Sequence, residues 1–165
     1  MTLNRLARLI RKTGRVAEPA PEPPPNPPLA AGTPRALNGS AQVRHVDCGS
    51  CNGCETEVGA AFGPVYDAER YGARLVSSPR HADVLLVTGV VTQNMREPLR
   101  RTVEATPRPR VVVAVGDCAV DGGLFREGYG VAGVVDEVVG VDLNVPGCPP
   151  EPDAIVAALR QVTGR

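Results

Sequence analysis

Two stretches, "DVLLVTGV" (83–90) and "PRVVVAVG" (109–116), are apolar at nearly every position. A strand with one wet face alternates apolar and polar residues, whereas a strand apolar on both faces must be covered on both, as in a parallel sheet. Only 3% of the chain is aromatic and Trp is absent, so Val, Ala and Leu must build the core. Around these runs, strand and helix patterns alternate. "AQVRHVD" (41–47) reads as a short strand, "CETEVGAAF" (54–62) as a helix with acids in its first turn, and "ARLVSS" (73–78) as a strand. "MREPLRRTVEAT" (95–106) reads as a helix, with Pro98 tolerable only near its start. "VVDEVVGVDLNV" (134–145) supplies a last short strand. "PEPDAIVAALRQVT" (150–163) opens with proline and acids and closes with Arg160, the charge order a helix dipole favours. Strand–helix alternation of this kind predicts an α/β domain, an open parallel sheet with helices on both faces.

Ahead of that domain the composition changes. Residues 1–17 carry Arg5, Arg8, Arg11, Lys12 and Arg15 and no acid, although the whole chain has 18 basic and 18 acidic residues. The folded part is therefore net negative, which argues against a nucleic-acid partner. Leu3, Leu6, Ala7 and Ile10 share one helical stripe, so 1–17 reads either as an interfacial helix against anionic lipid or an integral-membrane partner, or as an unstructured basic start. Residues 18–40 are proline-dense, which suits an extended linker, and 41–165 form the domain. No apolar signal segment and no membrane-spanning run is visible, and the expected compartment is reducing.

In such a compartment five cysteines are metal ligands more often than disulfides. Cys48, Cys51 and Cys54 follow the first strand, Cys118 follows the strand at 109–116, and Cys148 follows the last strand. In an open α/β sheet the carboxyl ends of parallel strands share one edge, so these positions can converge. Every cysteine has a glycine within two residues, which argues against plain core packing. Gly53, Gly116 and Gly147 are candidate backbone donors to bound sulfur. One C-x-x-C joined by isolated cysteines differs from paired zinc hairpins and suits a four-thiolate [4Fe–4S] site, but spacing alone leaves zinc open. No G-x-G-x-x-G follows the first strand, "GDCAVDGG" lacks the Lys of a phosphate-binding loop, and few aromatics exist to sandwich a flavin, so no nucleotide or flavin is expected.

The segments "GSCNGCETEV", "SPRHADVLLVTG", "GDCAVDGG" and "VPGCPPEPDAI" resemble the small subunits of membrane-bound, formate hydrogenlyase-like [NiFe] hydrogenases. They also resemble the B (20 kDa) subunit of NADH:quinone oxidoreductase. The likeness runs over 43–163. It implies a flavodoxin-like fold and one [4Fe–4S] cluster held by Cys51, Cys54, Cys118 and Cys148, with Cys48 spare. The implied role is an electron-transfer subunit, not a catalytic one. The implied partners are a hydrogenase-like large subunit, a ferredoxin-like subunit and integral-membrane subunits at the cytoplasmic face of the membrane. "CNGC" departs from the paired cysteines of the quinone oxidoreductase subunit and favours the hydrogenase branch. A zinc-bound scaffold is the alternative of a different class. Glu55 and Glu57 read as proton-relay or helix-dipole acids, and Arg80 as an interface or surface cation. His45 and His81 carry no assigned role. "PGCPP" raises the question of a cis proline at Cys148.

Overall fold

The computed structural model describes Arg11, Leu37 and residues 39–165; the basic segment 1–17 and the linker otherwise lie outside the described residues. Five parallel strands form the main sheet: β1 (Ala41–Asp47), β2 (Ala73–Leu75), β3 (Val84–Thr88), β5 (Val111–Val115) and β7 (Leu143–Val145). Their order is β2-β1-β3-β5-β7, every neighbouring pair parallel. Numbering only these five, the order is 2-1-3-4-5, the flavodoxin-like arrangement.

Period-two alternation explains the layers. Val84 and Leu86 of β3, with Val111, Val113 and Val115 of β5, face one core. Helix α1 (Gly53–Ala61) covers that core with Val58, and α5 (Pro152–Thr163) covers it with Ile155 and Leu159. Leu85, Val87, Val112 and Ala114 face the other core, closed by Leu99 of α2 (Gln93–Ala105), Ala119 of α3 (Asp117–Val120) and Val135 of α4 (Val135–Val138). The two uninterrupted apolar runs are apolar because each strand contributes to both cores.

Helix α5 follows its sequence signals: Pro152 at the start, Asp153 in the first turn, Arg160 in the last, and Gly164 in a left-handed cap at φ 76°. Two expectations change and one feature is new. Helix α2 begins at Gln93, so Pro98 lies beyond its first turn; Pro98 and Asn94, whose carbonyl loses its bond there, are both exposed, so water can satisfy that group. The stretch 134–145 divides into α4 and β7, because the Glu137 side chain accepts from the Val134 N–H (3.1 Å) and starts a turn of helix. A small antiparallel pair, β4 (Val91–Thr92) with β6 (Val131–Gly133), has no counterpart in the sequence reading. The Cys148–Pro149 bond is cis.

Candidate metal centre

Strands β1, β3, β5 and β7 run in the same direction, so their carboxyl ends form one edge. The cysteine-bearing segments leave from that edge. Cys51 and Cys54 follow β1, with Cys54 inside the first turn of α1; Cys118 lies in α3 after β5; Cys148 follows β7. Cys54 and Cys118 are buried, at 7% and 9% exposure, while Cys51 and Cys148 are exposed.

The four thiols share one electrostatic neighbourhood. Burial pushes the Cys54 thiol up to about 12, and negative charge on Glu55, Cys118, Cys51 and Cys148 adds to the effect. Burial likewise raises Cys118, helped by Cys148, Cys51 and Asp117 and opposed by a backbone hydrogen bond. Ionising these thiols together without a cation is therefore unfavourable, and a positively charged inorganic core would relieve that cost. Among the described residues no three His, Cys, Asp or Glu side chains form a ready chelate for a single ion.

Cys48 belongs elsewhere. It is 0% exposed and packs in the apolar cluster with Leu85, Val91 and Leu99. Its N–H donates to the Thr88 carbonyl (3.0 Å), and its own carbonyl accepts from the Thr92 N–H (3.0 Å) and hydroxyl (3.1 Å). Its thiol is pushed up to about 12 by burial and then by Asp47, with no other cysteine contributing. For this cysteine core packing is the correct account, against the expectation drawn from its neighbouring glycine, and it agrees with the resemblance that leaves Cys48 spare.

The glycines contribute room more than donors. The Gly116 N–H donates to Val145 O (2.8 Å) and the Gly147 N–H to Asp117 Oδ1 (2.6 Å), so neither is free to reach a sulfur. Gly116 has φ 91°, and a Cβ there would stand 2.5 Å from Cys54 Sγ. Gly53 lies beside Cys51, its Cβ position 3.6 Å from that sulfur. It opens α1, whose N-terminus, the positive end of the helix, carries no side-chain cap and lies between Cys51 and Cys54 in the chain.

Side chains without an obvious sequence signal hold the loops. Asp117 accepts from Gly147 N–H while its own N–H donates to Gly147 O (2.9 Å), a reciprocal tie between the Cys118 and Cys148 segments. Asp47 Oδ1 accepts from the Gly49 and Ser50 N–H groups (2.8 and 2.9 Å). Glu55, with 18% of its side chain exposed, accepts from the Ser50 and Thr88 hydroxyls. His45 Nε2 lies 2.9 Å from Thr88 Oγ1 and 3.5 Å from Glu55 Oε1. Burial lowers the pKa of this histidine, opposed by Glu55 and Asp47 and assisted by Arg44. Glu57, two residues beyond Glu55, is half-buried and turned about 200° around α1. Arg80 is exposed on the turn that leads into β3, so the length of that strand separates it from the cysteine edge. The structure does not bring it to the site. A cavity of about 310 Å³ opens beside Cys51, lined also by Ser50, Val90, Phe125 and Val131.

The sequence model of the family described as "NADH ubiquinone oxidoreductase, 20 Kd subunit" matches residues 51–162, a span that begins at Cys51 and includes Cys54, Cys118 and Cys148. The chain belongs to this 20 kDa subunit family. Among similar proteins, formate hydrogenlyase subunit 7 of Escherichia coli is 44% identical over 136 residues, covering 82% of this chain. The chain spans about half of that relative, 53% of its length. The probable membrane-bound hydrogenase subunit mbhJ of Pyrococcus furiosus is 50% identical over 71% of this chain and 70% of its own length. A chain from the membrane-bound sulfane sulfur reductase, an archaeal respiratory membrane complex, superimposes on this 20 kDa-family member with a TM-score of 0.67 and 30% identity, covering 77% of this chain and 70% of the other. The family, the α/β fold and the sheet order therefore agree with the expectation drawn from the motifs. Among the described residues, no helix is long and apolar enough to cross a membrane.

Proposed function

We propose that this chain is the electron-transfer small subunit of a membrane-associated, hydrogenase-like oxidoreductase complex, in which Cys51, Cys54, Cys118 and Cys148 hold one [4Fe–4S] cluster. The observation that carries the reading is topological: the segments bearing these cysteines leave three different parallel strands, β1, β5 and β7, at one sheet edge. The donor set fits the group. It is all thiolate, Cys51 and Cys54 bracket the positive end of α1 in the chain, and Gly116 leaves the space that Cys54 needs. When bound, such a cluster accepts and donates single electrons at a potential set by burial, charge and hydrogen bonding around its sulfurs. The chain's own residues fix the sulfurs, hold the Cys118 and Cys148 segments together through Asp117, and keep two of the four thiols out of water. Cys48 is outside the ligand set.

Reaction of the complex's substrate belongs to a partner, a hydrogenase-like large subunit. A ferredoxin-like subunit and integral-membrane subunits complete the assembly, and this chain is peripheral through them. The identities to hydrogenase subunits support this reading; the family's own description supports the second one, a B-type subunit passing electrons toward quinone. The division into a basic segment (1–17), a linker (18–40) and a cluster-binding domain (41–165) belongs to the same proposal. So do a proton-relay or interface role for Glu57 and an interface role, away from the cysteine edge, for Arg80. Anaerobic purification of the full chain tests the core of it: a brown protein with about four irons and four labile sulfides per chain is expected. A colourless protein with one stoichiometric zinc and no labile sulfide refutes the cluster and leaves the zinc scaffold.

A further inference from the structure

We propose that Glu55 is a positioning residue: its carboxylate clamps the loop bearing Cys51 to the buried end of β3. The inference rests on the reading of Cys51 and Cys54 as ligands. It assigns Glu55 a task different from proton relay or simple pairing with the helix dipole.

The direction of the hydrogen bonds carries the argument. A hydroxyl has one hydrogen to give, and an ionised carboxylate only accepts. The Thr88 hydroxyl donates to Glu55 Oε1. His45 Nε2, 2.9 Å from the same hydroxyl oxygen, must then carry a hydrogen and donate to it. On the other side the Asn52 N–H donates to Ser50 Oγ (3.0 Å), and the Ser50 hydroxyl donates to Glu55 Oε2. Two chains thus run inward, one from β1 through β3 and one from the cysteine loop, and both end on the same carboxylate. Thr88 is 0% exposed, so its end of the clamp is fixed in the core. The loop also touches Gly89, the residue just after β3, where φ is 76° and any Cβ would collide with the Ser50 backbone.

Without Glu55 the loop keeps its Asp47 turn at one end and α1 at the other. The segment between them, Ser50–Asn52, loses its side-chain anchor to β3. Cys51 is in that segment and is exposed, so little else restrains it. An outer residue that orients a ligand typically contributes about 10- to 100-fold to metal retention.

Thr88 allows a test that spares every cysteine and the carboxylate itself. Thr88→Val keeps the shape and removes the hydroxyl; Thr88→Ser keeps the hydroxyl. In the full chain reconstituted with iron and sulfide, Thr88→Val and Glu55→Gln are expected to release iron to a chelator about 10- to 100-fold faster than wild type, with altered EPR g-values for the reduced cluster. Thr88→Ser is expected to match wild type in both. Release at the wild-type rate with an unchanged spectrum in Thr88→Val overturns the proposal, and so does equal lability in Thr88→Ser, which would mark the effect as packing. Should Thr88→Val not fold, Ser50→Ala breaks the same clamp at its outer end and carries the same expectation. Amide hydrogen exchange on the metal-free chain separates this inference from the functional reading: Thr88→Val should speed exchange over residues 49–52 about tenfold, the equivalent of one hydrogen bond. A wild type that takes up no cluster but shows this difference refutes the functional reading and retains the clamp. Equal exchange in both chains refutes the clamp alone.

Discussion

Replacing Gly116 by alanine places a methyl group where the structure has no room for one. Gly116 links β5 to the Cys118 helix with φ 91° and ψ 153°, a backbone region open essentially to glycine alone, where another residue costs about 1–3 kcal/mol. The new Cβ would stand 2.5 Å from Cys54 Sγ and 3.5 Å from Gly147 O. Non-bonded carbon and sulfur settle at about 3.5–4 Å, so the overlap with sulfur is about an ångström or more. Cysteine has a single side-chain torsion, so the sulfur must turn from its position or the backbone must shift, at about 1–3 kcal/mol for an overpacked site. Together these give about 2–6 kcal/mol, and even the lower figure reduces the folded-to-unfolded ratio about 30-fold. The assay is urea unfolding followed by far-UV circular dichroism, with iron counted in the same preparation. Gly59→Ala serves as the comparison. Gly59 is exposed within α1 with nothing within 4 Å of its Cβ position, so alanine there should stabilise by about 0.5–1 kcal/mol. A Gly116→Ala protein within about 0.5 kcal/mol of wild type that retains its iron would refute the steric reasoning.

Substitution of the cysteines one at a time should divide them. Cys118→Ser and Cys148→Ser lose the cluster while Cys48→Ser retains it, by iron and sulfide analysis, and cluster loss in Cys48→Ser would overturn the ligand assignment. In the metal-free chain at pH 8, Cys48 and Cys54, with thiols pushed up to about 12, hold about one part in ten thousand as reactive thiolate. Because both are raised, their alkylation should grow as pH climbs toward 12, while the exposed Cys51 and Cys148 are labelled first; mass spectrometry showing uniform labelling at pH 8 contradicts the burial argument. Removing residues 1–17 should reduce partitioning to anionic vesicles and leave iron content unchanged, and equal partitioning argues against membrane contact by that segment.

The strands that carry the fold were legible because burial on both faces leaves short continuous apolar runs between turn residues: residues 84–87 of β3 and all of β5 are apolar and buried. Helix α5 was legible for a different reason, since its proline, acid, Arg160 and Gly164 are local signals that need no tertiary context. The β4–β6 pair was not, because a strand of two residues is too short to show any period and is held by distant segments, its partner β6 and the Cys48 carbonyl. The split of 134–145 turned on one side-chain bond from Glu137, which a valine-rich stretch conceals.

At the site the same division holds. By itself the sequence determined the family, the parallel sheet and the strand ends from which the cysteines leave, because chain direction in a parallel sheet sends all those ends to one edge. The resemblance already set Cys48 aside as spare; only the tertiary structure decided where it goes instead. The turn at Asp47 directs Cys48 into the core beneath β4 and carries Cys51 outward, although the two stand three residues apart. It alone joined Glu55 to Thr88 across 33 positions and set Gly116 against Cys54, since contacts between distant segments depend on register and side-chain direction, which local sequence does not encode.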